Sequence, residues 1–109
     1  MLLAGDVGGT KTLLGLFAPA PMRPAPVAVE SFPTLRYDSI VPMIREFLNK
    51  QPGGAPPVDG ACFGVAGPVL DDWAWMTNVP WRVDGKAVAL EFGLGRVHLL
   101  NDLDRKSVV

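Results

Sequence analysis

Apolar and polar positions along this chain fall into blocks, and the first block is the sharpest. Leu2 to Val7 and Lys11 to Phe17 are two apolar runs separated by Gly8-Gly9-Thr10. That pattern predicts strand, tight turn, strand over residues 2–7 and 11–17. The proline-rich segment from Pro19 to Pro26 loops out, and a third strand is predicted around Val27–Phe32. The period then changes. Ile40, Met43, Ile44, Phe47 and Leu48 fall at i, i+3, i+4, i+7 and i+8, the stripe of an amphipathic helix. Asp38 or Ser39 is placed to cap this helix, and Pro42 is tolerated because first-turn N–H groups lack helical partners. The Pro/Gly segment from Gln51 to Pro57 stops it.

Residues 59–66 form a nearly continuous apolar run, as expected of a strand covered on both faces. Gly67-Pro68 ends it. Val69 to Met76 reads as a short strand pair turning at Asp71-Asp72, followed by the loop Thr77-Asn78-Val79-Pro80-Trp81. Asp84 is the predicted cap of a second helix, with Val83 and Val88 at staple positions and Gly93 as its stop. Arg96 to Leu100 is the last strand and leads directly into Asn101-Asp102. The order βββαβαβ, with two crossover helices feeding parallel strands, predicts a mixed α/β domain with one central sheet.

The length of 109 residues allows one domain with a real core. Apolar residues make up 49% and charged residues 19%, and the net charge is −1, which gives no case for nucleic acid or an anionic membrane as partner. The uncharged apolar stretches are strand-sized, so none spans a bilayer, and the start carries no signal-peptide pattern. The one cysteine, Cys62, lies inside Ala61-Cys62-Phe63-Gly64-Val65 and reads as a buried strand residue without a disulfide framework. The expected compartment is the cytoplasm.

Candidate chemistry concentrates at predicted strand ends. In the hairpin, Gly8 and Gly9 can turn backbone N–H groups into one concavity through φ > 0, Thr10 adds a hydroxyl, Lys11 a positive charge, and Asp6 an oxygen suited to hydrated Mg²⁺. A phosphate-binding hairpin fits these residues, and a plain glycine turn fits them equally. Neither familiar nucleotide fingerprint is present: Thr10 stands before Lys11 where a Walker loop needs glycine, and no Gly-x-Gly-x-x-Gly precedes a helix. Ligands of α/β sheets bind outside the carboxyl ends of parallel strands. Asp6–Thr10, Gly67-Pro68 and Asn101-Asp102 all fall at such ends. Asp102 is the candidate general base and Asn101 a ligand for a polyol hydroxyl, although Asn-Asp also suits a helix cap. His98 reads as an ordinary strand residue, Trp73, Trp75 and Trp81 as packing or a groove, and no nucleophilic triad or metal constellation is visible.

Four motifs in order, Gly-Asp-Val-Gly-Gly-Thr-Lys-Thr, Phe-Gly-Val-Ala-Gly-Pro-Val, Thr-Asn-Val-Pro-Trp and Leu-Leu-Asn-Asp-Leu, make the chain resemble the N-terminal lobe of the bacterial glucokinases. These belong among the sugar kinases and actin-like ATPases with a ribonuclease H-like core. The resemblance implies a ribonuclease H-like mixed five-stranded sheet with flanking helices, the small lobe of a two-lobe sugar kinase that phosphorylates glucose at its 6-hydroxyl with ATP and Mg²⁺. Carried over by position, Gly5, Asp6, Val7, Gly8, Gly9 and Thr10 form the phosphate-binding hairpin, with Asp6 near Mg²⁺. Asp102 becomes the catalytic base on the sugar hydroxyl and Asn101 a sugar ligand. Gly67, Pro68, Thr77 and Asn78 shape the sugar pocket. The resemblance also makes residues 1–109 the small domain alone, without the large domain that holds adenine and completes the sugar site. The ending Asp104-Arg105-Lys106-Ser107-Val108-Val109 departs from the acidic, alanine-rich helix start expected there, so residues 103–109 read as a truncated or non-native tail. Two consequences are expected: weak catalysis by the chain alone, and a homo-oligomer formed through the face that would meet the missing lobe. The competing readings are a kinase of another hexose or N-acetylhexosamine, a sugar-responsive regulator of related fold, and a non-catalytic sugar- or partner-binding fragment.

Overall fold

The computed structural model describes residues 1–18, 25–54, 56–65, 67, 69–70, 73–75 and 81–101. The first two apolar blocks are β1 (Leu2–Val7) and β2 (Lys11–Ala18), antiparallel with Leu2 opposite Phe17 and Val7 opposite Thr12. β3 (Ala25–Pro33) adds antiparallel to β2, and a 3₁₀ turn at Thr34–Arg36 leads to α1 (Ile40–Asn49). There follow β4 (Gly60–Val65), the short strands β5 (Val69–Leu70), β6 (Trp73–Trp75) and β7 (Arg82–Asp84), then α2 (Gly85–Phe92) and β8 (Arg96–Asn101). The main sheet has the order β3-β2-β1-β4-β8, with β1, β4 and β8 parallel. The short strands form a separate antiparallel sheet.

The mixed five-stranded sheet is the one expected. Both helices lie on one of its faces, because β3–α1–β4 and β4–α2–β8 step across the sheet in the same sense and such crossovers share one hand. Leu3, Val7, Leu14, Leu16, Phe63 and Val65 form the sheet side of the core. The helical stripe of Ile40, Met43, Ile44, Phe47 and Leu48 is buried throughout. Arg45 and Glu91 tie α1 to α2 by an ion pair. Gly5 is required by packing: a Cβ there would meet Phe63 Cδ1 at 2.5 Å and Leu14 Cδ2 at 3.1 Å.

Capping follows the expected pattern at α2 and departs from it at α1. Asp84 Oδ1 accepts from the N–H groups of Lys86 at 3.0 Å and Ala87 at 3.2 Å, and Gly93 closes the helix in the left-handed region at φ 65°. The staple residues Val83 and Val88 are both fully buried. Ser39 stands at the N-cap of α1 but its side chain makes no capping bond; the packed apolar stripe holds that helix.

Two further points differ from expectation. β4 is buried along its length as expected, with Cys62 alone half-buried, but the sheet face opposite the helices is bare on the neighbouring strands. On that face Leu2, Leu13, Val29 and Leu100 are exposed, and Cys62 lies beside His98 along a cavity of about 460 Å³. Arg82–Asp84, which carries no strand pattern of its own, pairs with β6. There Arg82 stacks 5.0 Å over the Trp73 ring. The proposed turn at Asp71-Asp72, the loop at 77–80 and the tail at 103–109 lie outside the described residues.

Candidate functional site at the carboxyl edge of the parallel strands

The register of the sheet decides which predicted site residues are neighbours. Val7 pairs with Val65, and Val65 pairs with Asn101. The last residues of three parallel strands are therefore level at one edge. With strands about 4.8 Å apart, Val7 and Asn101 are separated by about 10 Å. The hairpin Gly8-Gly9-Thr10 leaves this edge from β1, Gly67 follows β4, and Asn101 ends β8. Gly67 is buried and Asn101 half-buried. Asp102 follows Asn101 in the chain. It lies outside the described residues, as do Pro68, Thr77 and Asn78.

Asp6 sits one residue before the end of β1, exposed, beside Leu13 and Gly64. Pleating alternates side chains across the sheet, so Asp6 projects on the face opposite the buried Val7. The hairpin itself is tight. The Gly8 N–H donates to the Lys11 carbonyl at 3.0 Å, and a Cβ on Gly8 would come within 2.8 Å of that same oxygen. Close backbone approach is thus the reason for glycine at this position. The expectation of positive φ is not met: the left-handed glycines among the described residues are Gly53, Gly54 and Gly93. Thr10 and Lys11 are exposed at the tip, and so are free to meet an anion.

Sequence reasoning passed over the support beneath this hairpin. Thr12 and Thr34 are both fully buried, with their hydroxyl oxygens 2.7 Å apart, and Thr34 Oγ1 donates to the Gly8 carbonyl at 2.8 Å. The Thr34 N–H donates to the Thr10 carbonyl at 3.1 Å. One signal was available: Thr12 shares the inward register of Leu14 and Leu16, and an inward hydroxyl needs a partner. Trp81, which follows the Thr77-Asn78 segment, is 8% exposed, and its indole N–H has no partner among the described residues. It belongs to the core and does not line a groove. His98 is an ordinary strand residue of β8, as expected.

The donors at the edge suit an oxyanion, and the acceptors suit hydroxyls. No group of three or more His, Cys, Asp or Glu among the described residues could hold a metal ion. A single carboxylate such as Asp6 fits Mg²⁺ in the way that ion is commonly held, with water and phosphate oxygens completing its shell. No helix among the described residues is long and apolar enough to cross a membrane.

Fold and edge together define an α/β domain of mixed sheet order, with a glycine hairpin and a polar strand end side by side at the carboxyl edge. The model of the Glucokinase family matches residues 3–108, and the chain belongs to that family. It is 35% identical over 108 residues to a glucokinase of Synechocystis sp., covering 92% of this chain and 30% of that protein. A glucokinase of Nostoc punctiforme is 35% identical over 103 residues, covering 94% and 30%. One of Neisseria gonorrhoeae is 35% identical over 109 residues, covering 97% and 31%. The crystal structure of a glucokinase from an Antarctic psychrotroph superposes with a TM-score of 0.80 at 24% identity, over 94% of this chain and 32% of that one. That last likeness bears on the fold. The chain thus spans about 30% of the length of the relatives it matches.

Proposed function

We propose that this chain supplies the small lobe of an ATP-dependent kinase that converts glucose to glucose 6-phosphate. The observation that carries the reading is the level register of Val7, Val65 and Asn101. It brings a candidate phosphate hairpin and a candidate sugar-binding strand end to one edge. When bound, Mg-ATP supplies the γ-phosphoryl group and the divalent charge. The hairpin's Gly9 N–H and Thr10 hydroxyl donate to phosphate oxygens, and Asp6 meets the metal through water. Asn101 holds a sugar hydroxyl while Gly67, Pro68, Thr77 and Asn78 shape the pocket. Asp102 takes the proton from the 6-hydroxyl as its oxygen bonds to the γ-phosphorus and the bond to the ADP oxygen breaks. Phosphoryl transfer of this kind depends on positioning and charge stabilisation, and closure by the remaining part of a full-length relative would exclude water. The proposed compartment is the cytoplasm.

The test joins this chain to the remaining two-thirds or so of the Synechocystis glucokinase, in place of the matching segment. A coupled assay with Mg-ATP then compares glucose with other hexoses and N-acetylhexosamines. Glucose turnover that falls by at least about 10²-fold in Asp102→Ala supports the proposal. A preference for another sugar moves it to that substrate. A folded chimera that is inactive, or one indifferent to Asp102→Ala, leaves a non-catalytic fragment.

A second proposal concerns the sheet face opposite the helices, where Leu2, Leu13, Val29 and Leu100 are exposed. We infer that a second copy of the 109-residue chain packs on the apolar side chains of this face, beside the exposed Asp6, because large apolar patches rarely stay bare on a monomer.

A further inference from the structure

The 3₁₀ turn after β3 places one buried side chain under the hairpin. Thr34 grips the loop at two points: its hydroxyl donates to the Gly8 carbonyl and its N–H to the Thr10 carbonyl. A threonine hydroxyl carries a single proton. Thr34 donates its proton to Gly8, so Thr12 must be the donor in the 2.7 Å hydroxyl pair. The result is a directed chain from Thr12 O–H to Thr34 Oγ1, and from Thr34 O–H to the Gly8 carbonyl. Both threonines are fully buried, and chains of this kind reinforce one another in a low dielectric.

The consequence follows from peptide geometry. The described peptide bonds are trans, and in a planar trans peptide the N–H points opposite to the carbonyl of the preceding residue. Drawing the Gly8 and Thr10 carbonyls toward Thr34 turns the N–H groups of Gly9 and Lys11 away from it. The Gly8 N–H is already committed to the Lys11 carbonyl. We infer that Thr34 is a positioning residue of the hairpin, aiming the Gly9 and Lys11 N–H groups at the phosphate oxygens of a bound nucleotide. This rests on the hairpin being a phosphate site, as proposed above. Thr34 is neither a ligand nor a reacting group; it acts through Gly8 and Thr10.

The experiment is an amide NMR titration with Mg-ATP of the chimera that joins this chain to the rest of the Synechocystis glucokinase, following Gly9 and Lys11, alongside thermal unfolding. Thr34→Val removes the donor to Gly8 and leaves the Thr12 hydroxyl without an acceptor. The double variant Thr12→Val with Thr34→Val removes both hydroxyls at nearly constant shape, which restores much of the stability but not the grip on Gly8. Thr34→Ser keeps the hydroxyl. The expected result is a dissociation constant raised at least about tenfold in the double variant while its melting temperature stays near that of the wild type, with Thr34→Ser close to wild type. A double variant that binds Mg-ATP like the wild type, with the same Gly9 and Lys11 shifts, overturns the positioning role and leaves the hairpin reading standing. A wild-type chimera that is folded but shows no Gly9 or Lys11 shift removes the phosphate reading, and this inference with it.

Discussion

Tyr37 shows how a single residue couples the turn after β3 to α1. It is the only tyrosine, and its phenol donates to Glu46 Oε2 at 2.7 Å. Burial, with the Glu46 carboxylate beside it, pushes its pKa up from the ordinary 10 to about 12. A raised pKa means that the contribution to stability is complete below pH 10 and is lost as the pH climbs through about 12. Phenolate absorbance therefore reports this residue alone, with an expected midpoint near 12 that falls toward 10 in Glu46→Gln. A midpoint at 10 in the folded wild type would refute the contact. At this scale the sequence was legible where a residue acts through its neighbours in the chain, as Asp84 and Gly93 do. The packing role of Gly5 was not legible, and Thr12 showed only as an inward hydroxyl in need of a partner, because the reasons for them are Phe63 and Thr34, which meet them only after the strands pair.

At the scale of elements, apolar periodicity carries the account. The α1 stripe and the staple at Val83 and Val88 follow from burying one face, and these and the strands β1 and β2 appear at the expected positions. Asp84 is the cap with the most direct test. Asp84→Ala removes the acceptor of two N–H groups and is expected to cost about 1 kcal/mol in urea unfolding. Ser39→Ala, whose side chain makes no capping bond, is expected to cost clearly less. Equal costs would contradict the difference between the two helix starts. The elements that escaped sequence reasoning are the short ones. Thr34–Arg36 and Arg82–Asp84 are three residues each, too brief to show a period, and each is fixed by its partners. Thr34–Arg36 is held against the hairpin and Arg82–Asp84 against β6.

For the whole molecule, the two crossovers of one hand put both helices on one face and bring the carboxyl ends of β1, β4 and β8 level. The mixed sheet and the convergence of strand ends could be anticipated from the order βββαβαβ. The bare opposite face could not, because Leu2, Leu13 and Leu100 belong to apolar runs that read the same whether one face of the sheet or two are covered. That face predicts concentration-dependent association in sedimentation velocity, weakened by Leu13→Lys and Val29→Lys. A monomer at all concentrations would count against it.

The central claim is that the carboxyl edge of the parallel strands binds both substrates. An amide NMR map of this chain within the Synechocystis chimera, titrated first with Mg-ATP and then with glucose, tests it most directly. The account predicts nucleotide shifts centred on Gly9, Thr10 and Lys11, and sugar shifts centred on Gly67, Asn101 and Asp102. Shifts confined to the exposed face around Leu2 and Val29, or none at all from a folded chimera, would contradict it.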